Sequence, residues 1–164
     1  MDKNLSKKMS EQVNNELHAA YLYLVISEYF ESLSLKGFAA WMLHHAEEEL
    51  SHAMKLYRHL VDRGERVVFP AIPSIEQTWG SPLEAMQAAY GHEIKVTKQI
   101  NALYELADSV RDLAAKELLL WFAKEQVEEE DVTRTFVEQL KLIGNMHGAL
   151  IYLDHKAGKQ AQKK

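Results

Sequence analysis

The chain has 164 residues, of which 47% are hydrophobic and 26% charged, and its net charge is −5. This composition is typical of a folded globular protein and gives no reason to expect nucleic acid as a partner. Cysteine is absent, which excludes disulfides, thiolate metal sites and cysteine nucleophiles. The first residues, MDKNLSKK, lack the apolar segment of a signal peptide, and no apolar run approaches membrane-spanning length. We therefore expect a single cytoplasmic domain over residues 1–164, with no membrane partner.

Apolar residues recur at helical spacing in four long segments, so the predicted fold class is all-α. The predicted helices cover about residues 5–33, 38–63, 82–107 and 111–143. Ser81 and Pro82 suit the cap and first turn of the third helix. A short fifth helix is predicted for residues 146–156. The polar tail at 157–164 is predicted to be disordered, which leaves a core of about residues 4–156.

The connections between these helices differ in length. The first and third are short, so each joins two antiparallel neighbours. The second, from about residue 64 to 82, contains Gly64, Pro70, Pro73 and Gly80, which stop a helix. Its roughly 19 residues can span about 60 Å when extended, whereas a 26-residue helix is about 39 Å long. We therefore predict a four-helix bundle with one long crossover between parallel second and third helices.

Each of the four long helices places an acid on its inward stripe. Glu49 lies seven residues from both Met42 and Leu56, and His52 follows on the same face three residues later. Burial of a lone carboxylate is costly, so several inward acids indicate a shared partner. The same comparison with the apolar stripe of each helix predicts four further inward-facing polar residues: Glu16, Glu93, Gln126 and Glu129.

The spacing of these residues repeats along the chain. From Glu16 to Glu49 is 33 residues, with His52 three further on, and from Glu93 to Gln126 is 33, with Glu129 three further on. The second pattern is therefore the first one shifted by 77 positions. Antiparallel folding about the predicted turn near residues 108–112 brings Glu93, Gln126 and Glu129 to nearly the same height along the bundle. Folding at the predicted break over residues 34–37 instead leaves Glu16 and Glu49 offset by about one to two helical turns.

Four carboxylates and one imidazole converging in a bundle core are the ligand set of a two-metal site. Oxygen ligands with one histidine suit iron or manganese, with zinc as a competitor. We favour iron, because carboxylates stabilise the ferric state and open positions can accept oxygen. Glu49 is then predicted to bridge the two ions.

Four stretches around these residues carry a family resemblance: NNELHAAYLYL (14–24), HAEEELSHAMKLY (45–57), YGHEIKVTKQIN (90–101) and LLLWFAKEQVEEE (118–130). Over nearly its whole length the chain resembles a bacterial or archaeal non-haem ferritin. The resemblance implies a ferroxidase that oxidises Fe(II) with oxygen or peroxide. It also implies storage of ferric oxide-hydroxide in a homo-oligomeric cage of twenty-four subunits. The long crossover and the short fifth helix match the family.

The resemblance also implies roles for individual residues. The first iron site would comprise Glu16, Glu49 and His52. The second would comprise Glu49, Glu93 and Glu129, with Gln126 close by and Tyr23 beside the centre. A third iron position facing the cavity would be formed by Glu48, Glu125, Glu128 and Glu129.

Related families differ from this chain at identifiable positions. Bacterioferritins have a histidine in place of Glu129 and a haem-binding methionine in place of Leu50, so no haem is expected. Rubrerythrins need cysteines, and DNA-binding mini-ferritins place their ligands elsewhere. Two alternatives remain: a di-iron oxidase acting on an organic substrate, and a metal-free helical interaction module.

The remaining acids and histidines are interpreted as bystanders. Glu47 and Glu130 are predicted to lie on solvated faces. His18 and His92 adjoin predicted ligands in sequence, but the helical turn of about 100° per residue points them elsewhere. The other histidines outside the repeated pattern are predicted to be surface or satisfied residues: His44, His45, His59, His147 and His155.

Overall fold

The computed structural model describes residues 1–75 and 78–162. Four long helices and one shorter helix are present, which confirms the predicted all-α class. Three short connections and one long crossover join them in the predicted order. The helices are α1 (Lys3–Ser32), α2 (Lys36–Asp62), α3 (Pro82–Ser109), α4 (Leu113–Ile143) and α5 (His147–Ala161).

The fifth helix is longer than the sequence predicts. Disorder was expected from residue 157, but α5 continues to Ala161 and Ala157 is buried. The prediction of disorder over these residues is therefore wrong. The segment has little apolar character of its own, but its packing against α2 orders it. Residues 163–164 of the predicted tail lie outside the described residues.

Both hairpin turns have the same backbone geometry. Ser34 and Arg111 adopt positive φ values of 60° and 58°, and they are 77 positions apart. The residue after each donates its backbone N–H to a carbonyl five residues earlier: Leu35 to Phe30 at 3.0 Å, and Asp112 to Ala107 at 2.9 Å. The 77-residue repeat seen in the polar pattern therefore extends to the turns.

The crossover runs along α1. Near its start, the backbone N–H of Val68 donates to Ser10 Oγ at 3.0 Å. Near its end, Trp79 packs against Tyr29, with a distance of 5.4 Å between ring centroids. Ser10 and Tyr29 lie towards opposite ends of α1, so the crossover follows most of the bundle's length. The third helix then begins as predicted, with Ser81 Oγ accepting from the N–H of Glu84.

Two apolar clusters fill the bundle, and a polar layer lies between them. Phe38 and Met86, near the starts of α2 and α3, belong to one cluster. Leu60 and Leu103, towards the ends of the same helices, belong to the other. The two helices are therefore parallel, as predicted. The polar layer contains the buried side chains of Glu16, Glu49, His52, Glu93, Gln126 and Glu129. Over residues 1–75 and 78–162, no helix is both long and apolar enough to cross a membrane.

A glycine and an aspartate dock α5 against the start of α2. A Cβ atom added to Gly37 would lie 1.7 Å from the backbone oxygen of Asp154. The Asp154 side chain accepts from the backbone N–H of Phe38 at 2.8 Å. This carboxylate satisfies one of the N–H groups that a helix start leaves unpaired. Close backbone approach and capping together place α5 across α2.

Replacement of Gly37 by alanine is expected to displace α5. The new methyl group meets backbone, which does not move aside as a flexible side chain would, so we expect a loss of about 1–3 kcal/mol of stability. Urea denaturation checks this result. Gly91→Ala is the matched control, because a Cβ there meets no described atom within 4 Å, and alanine is the better helix former by roughly 0.5–1 kcal/mol. Equal stability of the two variants would contradict the proposed docking.

Candidate metal centre

Glu16 from α1 and Glu49 and His52 from α2 form a compact donor group. One ligand atom from each lies within 4.8 Å of the others, and all three side chains are buried. Placement of Ser34 at the turn, with α2 beginning at Lys36, brings Glu16 and Glu49 to the same level. The offset expected from the sequence is thereby removed. The structure thus brings together the three residues predicted for the first iron site.

The chemistry of this group fits a cation. Among the described residues, none donates a hydrogen bond to Glu16 Oε2 or Glu49 Oε2, although both atoms are buried. The two carboxyl groups are close enough to share a proton. His52 Nδ1 lies 3.6 Å from Glu49 Oε2, too far for a hydrogen bond. Either a shared proton or a bound cation can satisfy these oxygens, and a cation also engages the imidazole.

Gln12 orients Glu16, a role that the sequence reasoning missed. Its buried Nε2 donates to Glu16 Oε1 at 2.8 Å and lies 3.3 Å from Gln99 Oε1. With Oε1 engaged, the other oxygen of Glu16 faces the donor group. Gln12 precedes Glu16 by one helical turn, so the phase test applied to the acids would have found it.

Replacement of Gln12 by leucine is expected to weaken metal binding at Glu16 about tenfold. Hydrogen bonds to charged groups contribute roughly 1.5–3 kcal/mol, and ~1.4 kcal/mol corresponds to a factor of ten. The measurement is the KM for Fe(II) in oxidation, which should rise more than kcat falls. Gln99→Leu is the control, because Gln99 contacts Gln12 but is not the residue that donates to Glu16. An unchanged KM in Gln12→Leu would show that the amide does not position the carboxylate.

Glu93 is held by hydrogen bonds to both of its carboxylate oxygens. The Tyr23 hydroxyl donates to Oε1, and Gln126 Nε2 donates to Oε2 at 3.0 Å. The Gln126 amide thus donates a hydrogen bond to Glu93, as the Gln12 amide does to Glu16. Glu93, Tyr23 and Gln126 are therefore neighbours in the polar layer. Within the described residues, however, Glu93 is not a member of either compact donor group.

A second donor group contains a histidine that the sequence interpretation set aside. His45 Nδ1 lies 3.1 Å from Glu129 Oε2 and 3.5 Å from Glu48 Oε2. His45 is not at the surface: its side chain is buried and its imidazole faces these two acids, so it is one of the satisfied histidines that the sequence interpretation allowed. His45 precedes His52 by seven residues, so helical phase already placed it inward. The repeated spacing of polar residues did not identify His45, because His45 has no counterpart in that pattern.

Burial and mutual repulsion favour the protonated forms of the acids in this layer. Burial raises the pKa of Glu49 to about 8, and the nearby charges of Glu129 and Glu48 also raise it. The pKa of Glu93 is raised to about 8 by burial and then by Glu129. The pKa of Glu16 is raised well above its usual range by burial and by Glu49. A metal cation would offset this cost, because it stabilises the ionised carboxylates.

The other predicted acids lie nearer the surface. Glu47 is exposed, as predicted, whereas Glu130 is half-buried. Among the acids assigned to the third iron position, Glu48 is half-buried beside His45. Glu125 is half-buried and Glu128 is exposed, and neither belongs to a compact donor group in the described chain.

His92 lies close to the polar layer without joining either donor group. Its ring contacts that of Tyr23 edge-on, with 6.1 Å between centroids. Burial lowers the pKa of His92 to about 4, so the ring is neutral near pH 7. His92 therefore packs against the tyrosine that donates to Glu93.

Comparison with known proteins identifies the family of this chain. A family model described as a ferritin-like domain matches residues 6–143. The chain belongs to the ferritin family. It is 31% identical over 160 residues to a bacterial non-heme ferritin from Bacteroides fragilis, covering 98% of this chain and 99% of the relative. It is 37% identical over 153 residues to one from Campylobacter jejuni, covering 93% and 91% of the two chains.

Solved ferritin structures share the fold. An open-pore ferritin from Archaeoglobus fulgidus superposes with a TM-score of 0.95 at 40% identity, covering 96% of this chain and 98% of that one. A structure described as a humanized archaeal ferritin also has a TM-score of 0.95 at 40% identity, covering 96% of both chains. The family model ends at Ile143, but the structural match covers nearly the whole chain. The resemblance to a non-haem ferritin is thus confirmed.

Proposed function

We propose that this protein is an iron-storage ferroxidase. It would oxidise Fe(II) to Fe(III) at a paired metal centre and retain ferric oxide-hydroxide inside a cage of identical subunits. The observation that carries the proposal is the buried group of Glu16, Glu49 and His52, whose unsatisfied oxygens suit a cation. The main influences on the pKa values of Glu16, Glu49 and Glu93 are burial, other acids, amides and His52, not lysines or arginines. A metal-free interaction module would leave these acids poorly compensated.

Each predicted ligand has a distinct task in this proposal. Glu16 and His52 bind the first iron, Glu49 bridges to the second, and Glu93 and Glu129 complete the second position. Each Fe(II) gives up one electron, and oxygen or peroxide accepts the pair. Because the pKa values of Glu16, Glu49 and Glu93 are raised, metal entry releases the protons that these carboxyl groups hold. Tyr23 and Gln126 position Glu93 through hydrogen bonds to both of its carboxylate oxygens.

Storage requires many subunits around a common cavity. Relatives named as ferritins support this part of the proposal, as do large apolar side chains left exposed on the single chain. Leu142 is 84% exposed, Ile151 67% and Tyr152 70%. These side chains lie on α4 and α5, and exposed apolar surface of this kind can be covered by another protein. We propose that further copies of this chain cover it, in a cage of twenty-four subunits. We place the cage in the cytoplasm, which suits a sequence without cysteine.

The decisive experiment adds Fe(II) in air to the metal-free assembled protein. Ferric absorbance reports oxidation, and size-exclusion chromatography with iron analysis reports retention. We expect oxidation followed by retention of hundreds of iron ions per assembly. Oxidation of two irons per chain without retention would indicate instead an oxidase for another substrate. The absence of oxidation would indicate an interaction module.

A further inference from the structure

Two histidines that belong to neither donor group meet across α1 and α3. His18 comes from α1 and His92 from α3, and both side chains are half-buried. Their ring centroids lie 6.4 Å apart, with 36° between the ring planes. The helical turn of about 100° per residue directs both rings away from the donor atoms of the neighbouring Glu16 and Glu93. The pair therefore lies outside the paired metal centre, between α1 and α3.

The separation of the two rings suits two imidazoles bound to one metal ion. Metal–nitrogen bonds to imidazole are about 2.1 Å long, so two rings on one ion have centroids roughly 5–6.5 Å apart. The observed separation lies within that range. A half-turn of an imidazole exchanges its ring nitrogens with ring carbons but barely moves its centroid, so the centroid distance is the appropriate test of fit. An ion between the rings would therefore require no movement of α1 or α3.

The Nε2 atom of His92 is buried and has no hydrogen-bond partner among residues 1–75 and 78–162. A buried polar atom without a partner is uncommon in folded proteins, and a bound ion is one of its physical explanations. Edge-on contact with Tyr23, at 6.1 Å between ring centroids, supports one side of the His92 ring. This ligand is thus held in place before an ion arrives, so little conformational entropy is lost on binding.

We propose that His18 and His92 together bind one divalent transition-metal ion, with water completing its coordination. Imidazole is a good ligand for Zn²⁺, Ni²⁺ and Cu²⁺, whereas Mg²⁺ and Ca²⁺ prefer oxygen ligands. The half-buried side chain of His18 gives the ion access from solvent. The inference goes beyond the proposed function, because this binding involves neither the oxidation of iron nor any ligand of the paired metal centre.

The charge of Lys95 opposes the binding of a cation at this pair. Lys95 follows His92 by about one helical turn on α3, is exposed, and acts electrostatically on both rings. Because its ammonium group is in solvent, water and salt screen the repulsion without abolishing it. Lys95→Gln should therefore strengthen metal binding about two- to fivefold, as expected for one screened surface charge. Lys98→Gln is the matched control, because Lys98 is also exposed but is not among the charges that act on either ring.

The test measures how Zn²⁺ protects individual histidines in the assembled metal-free protein. Diethyl pyrocarbonate modifies imidazole nitrogens that carry no metal, and mass spectrometry of peptides reports each histidine separately from Zn²⁺ bound elsewhere. Zn²⁺ should slow the modification of His18. The Zn²⁺ affinity derived from this protection should fall at least about tenfold in His92→Gln, since even the loss of a group outside the direct ligands typically costs that much. His147→Gln, at an exposed histidine of α5, is the matched control and should leave the affinity unchanged.

Three outcomes would overturn the proposal: unchanged protection of His18 in His92→Gln, equal protection by Mg²⁺, and equal Zn²⁺ affinity in Lys95→Gln and Lys98→Gln. If His92→Gln fails to assemble, equilibrium dialysis of His18→Gln gives the same decision. Loss of one Zn²⁺ per chain would support the site, and an unchanged number would refute it. Zn²⁺ is neither oxidised nor reduced, so its result is separate from the ferroxidase test. A protein in which Zn²⁺ protects His18 but Fe(II) is not oxidised would refute the proposed function and leave this site standing.

Discussion

Glu49→Gln is expected to lower the rate of Fe(II) oxidation at least about a hundredfold. Glutamine keeps the size of the side chain but removes the charge that would bridge two ions. Loss of a group outside the direct ligands typically costs ten- to a hundredfold in metal affinity or activity, and a bridging ligand should cost more. The measurement is the initial rate of ferric absorbance after mixing anaerobic Fe(II)-loaded protein with oxygen.

Glu47→Gln provides the control for this experiment. Glu47 belongs to the same run of three acids on α2 but is exposed to solvent. The Glu47→Gln variant should oxidise Fe(II) at close to the rate of the unaltered protein. The circular dichroism of both variants should show the same helix content. If Glu49→Gln oxidised iron as fast as Glu47→Gln, the site assignment would be wrong.

The metal-free protein is expected to lose stability as the pH rises from about 4.5 to about 8. The ordinary pKa of a glutamate is 4.5, whereas Glu49 and Glu93 in the folded protein have pKa values of about 8. Between these pH values the folded protein retains protons that the unfolded chain has released. Its free energy of unfolding therefore falls with rising pH and levels off above about pH 8. Because each tenfold difference in proton affinity is ~1.4 kcal/mol, one such group contributes on the order of 5 kcal/mol.

Urea denaturation of the metal-free protein at a series of pH values measures this effect. Glu49→Gln should reduce the slope, because glutamine has no proton to lose, while the contribution of Glu93 remains. Saturating Co²⁺ should raise stability more at pH 8 than at pH 5, since protons compete with the metal at the lower pH. Stability that was constant or rose over this range would contradict the burial of uncompensated carboxylates. Glu47→Gln again serves as the control and should retain the slope of the unaltered protein.

The sequence determined the helices and the inward residues of this protein. Helical phase alone identified Glu49 and His52 as facing inward, because residues seven apart lie on nearly the same face of a helix. The shift of 77 positions between hairpins related Glu16 to Glu93, and both are buried in the polar layer. These predictions succeeded because a lone buried carboxylate is costly, so inward acids are rare and informative.

Only the tertiary structure decided which side chains meet across helices. The left-handed conformation of Ser34 in the turn determines the height of Glu16 relative to Glu49 along the bundle. Adding or removing one residue in this turn would shift one helix by about 1.5 Å relative to the other. One of the two acids beside His45 is Glu129, on another helix and 84 positions along the chain, so local spacing gave no sign of this contact. Order in α5 likewise depends on close backbone approach at Gly37. Helical periodicity reports which way a side chain faces, but distances between helices depend on turns and packing that involve the whole chain.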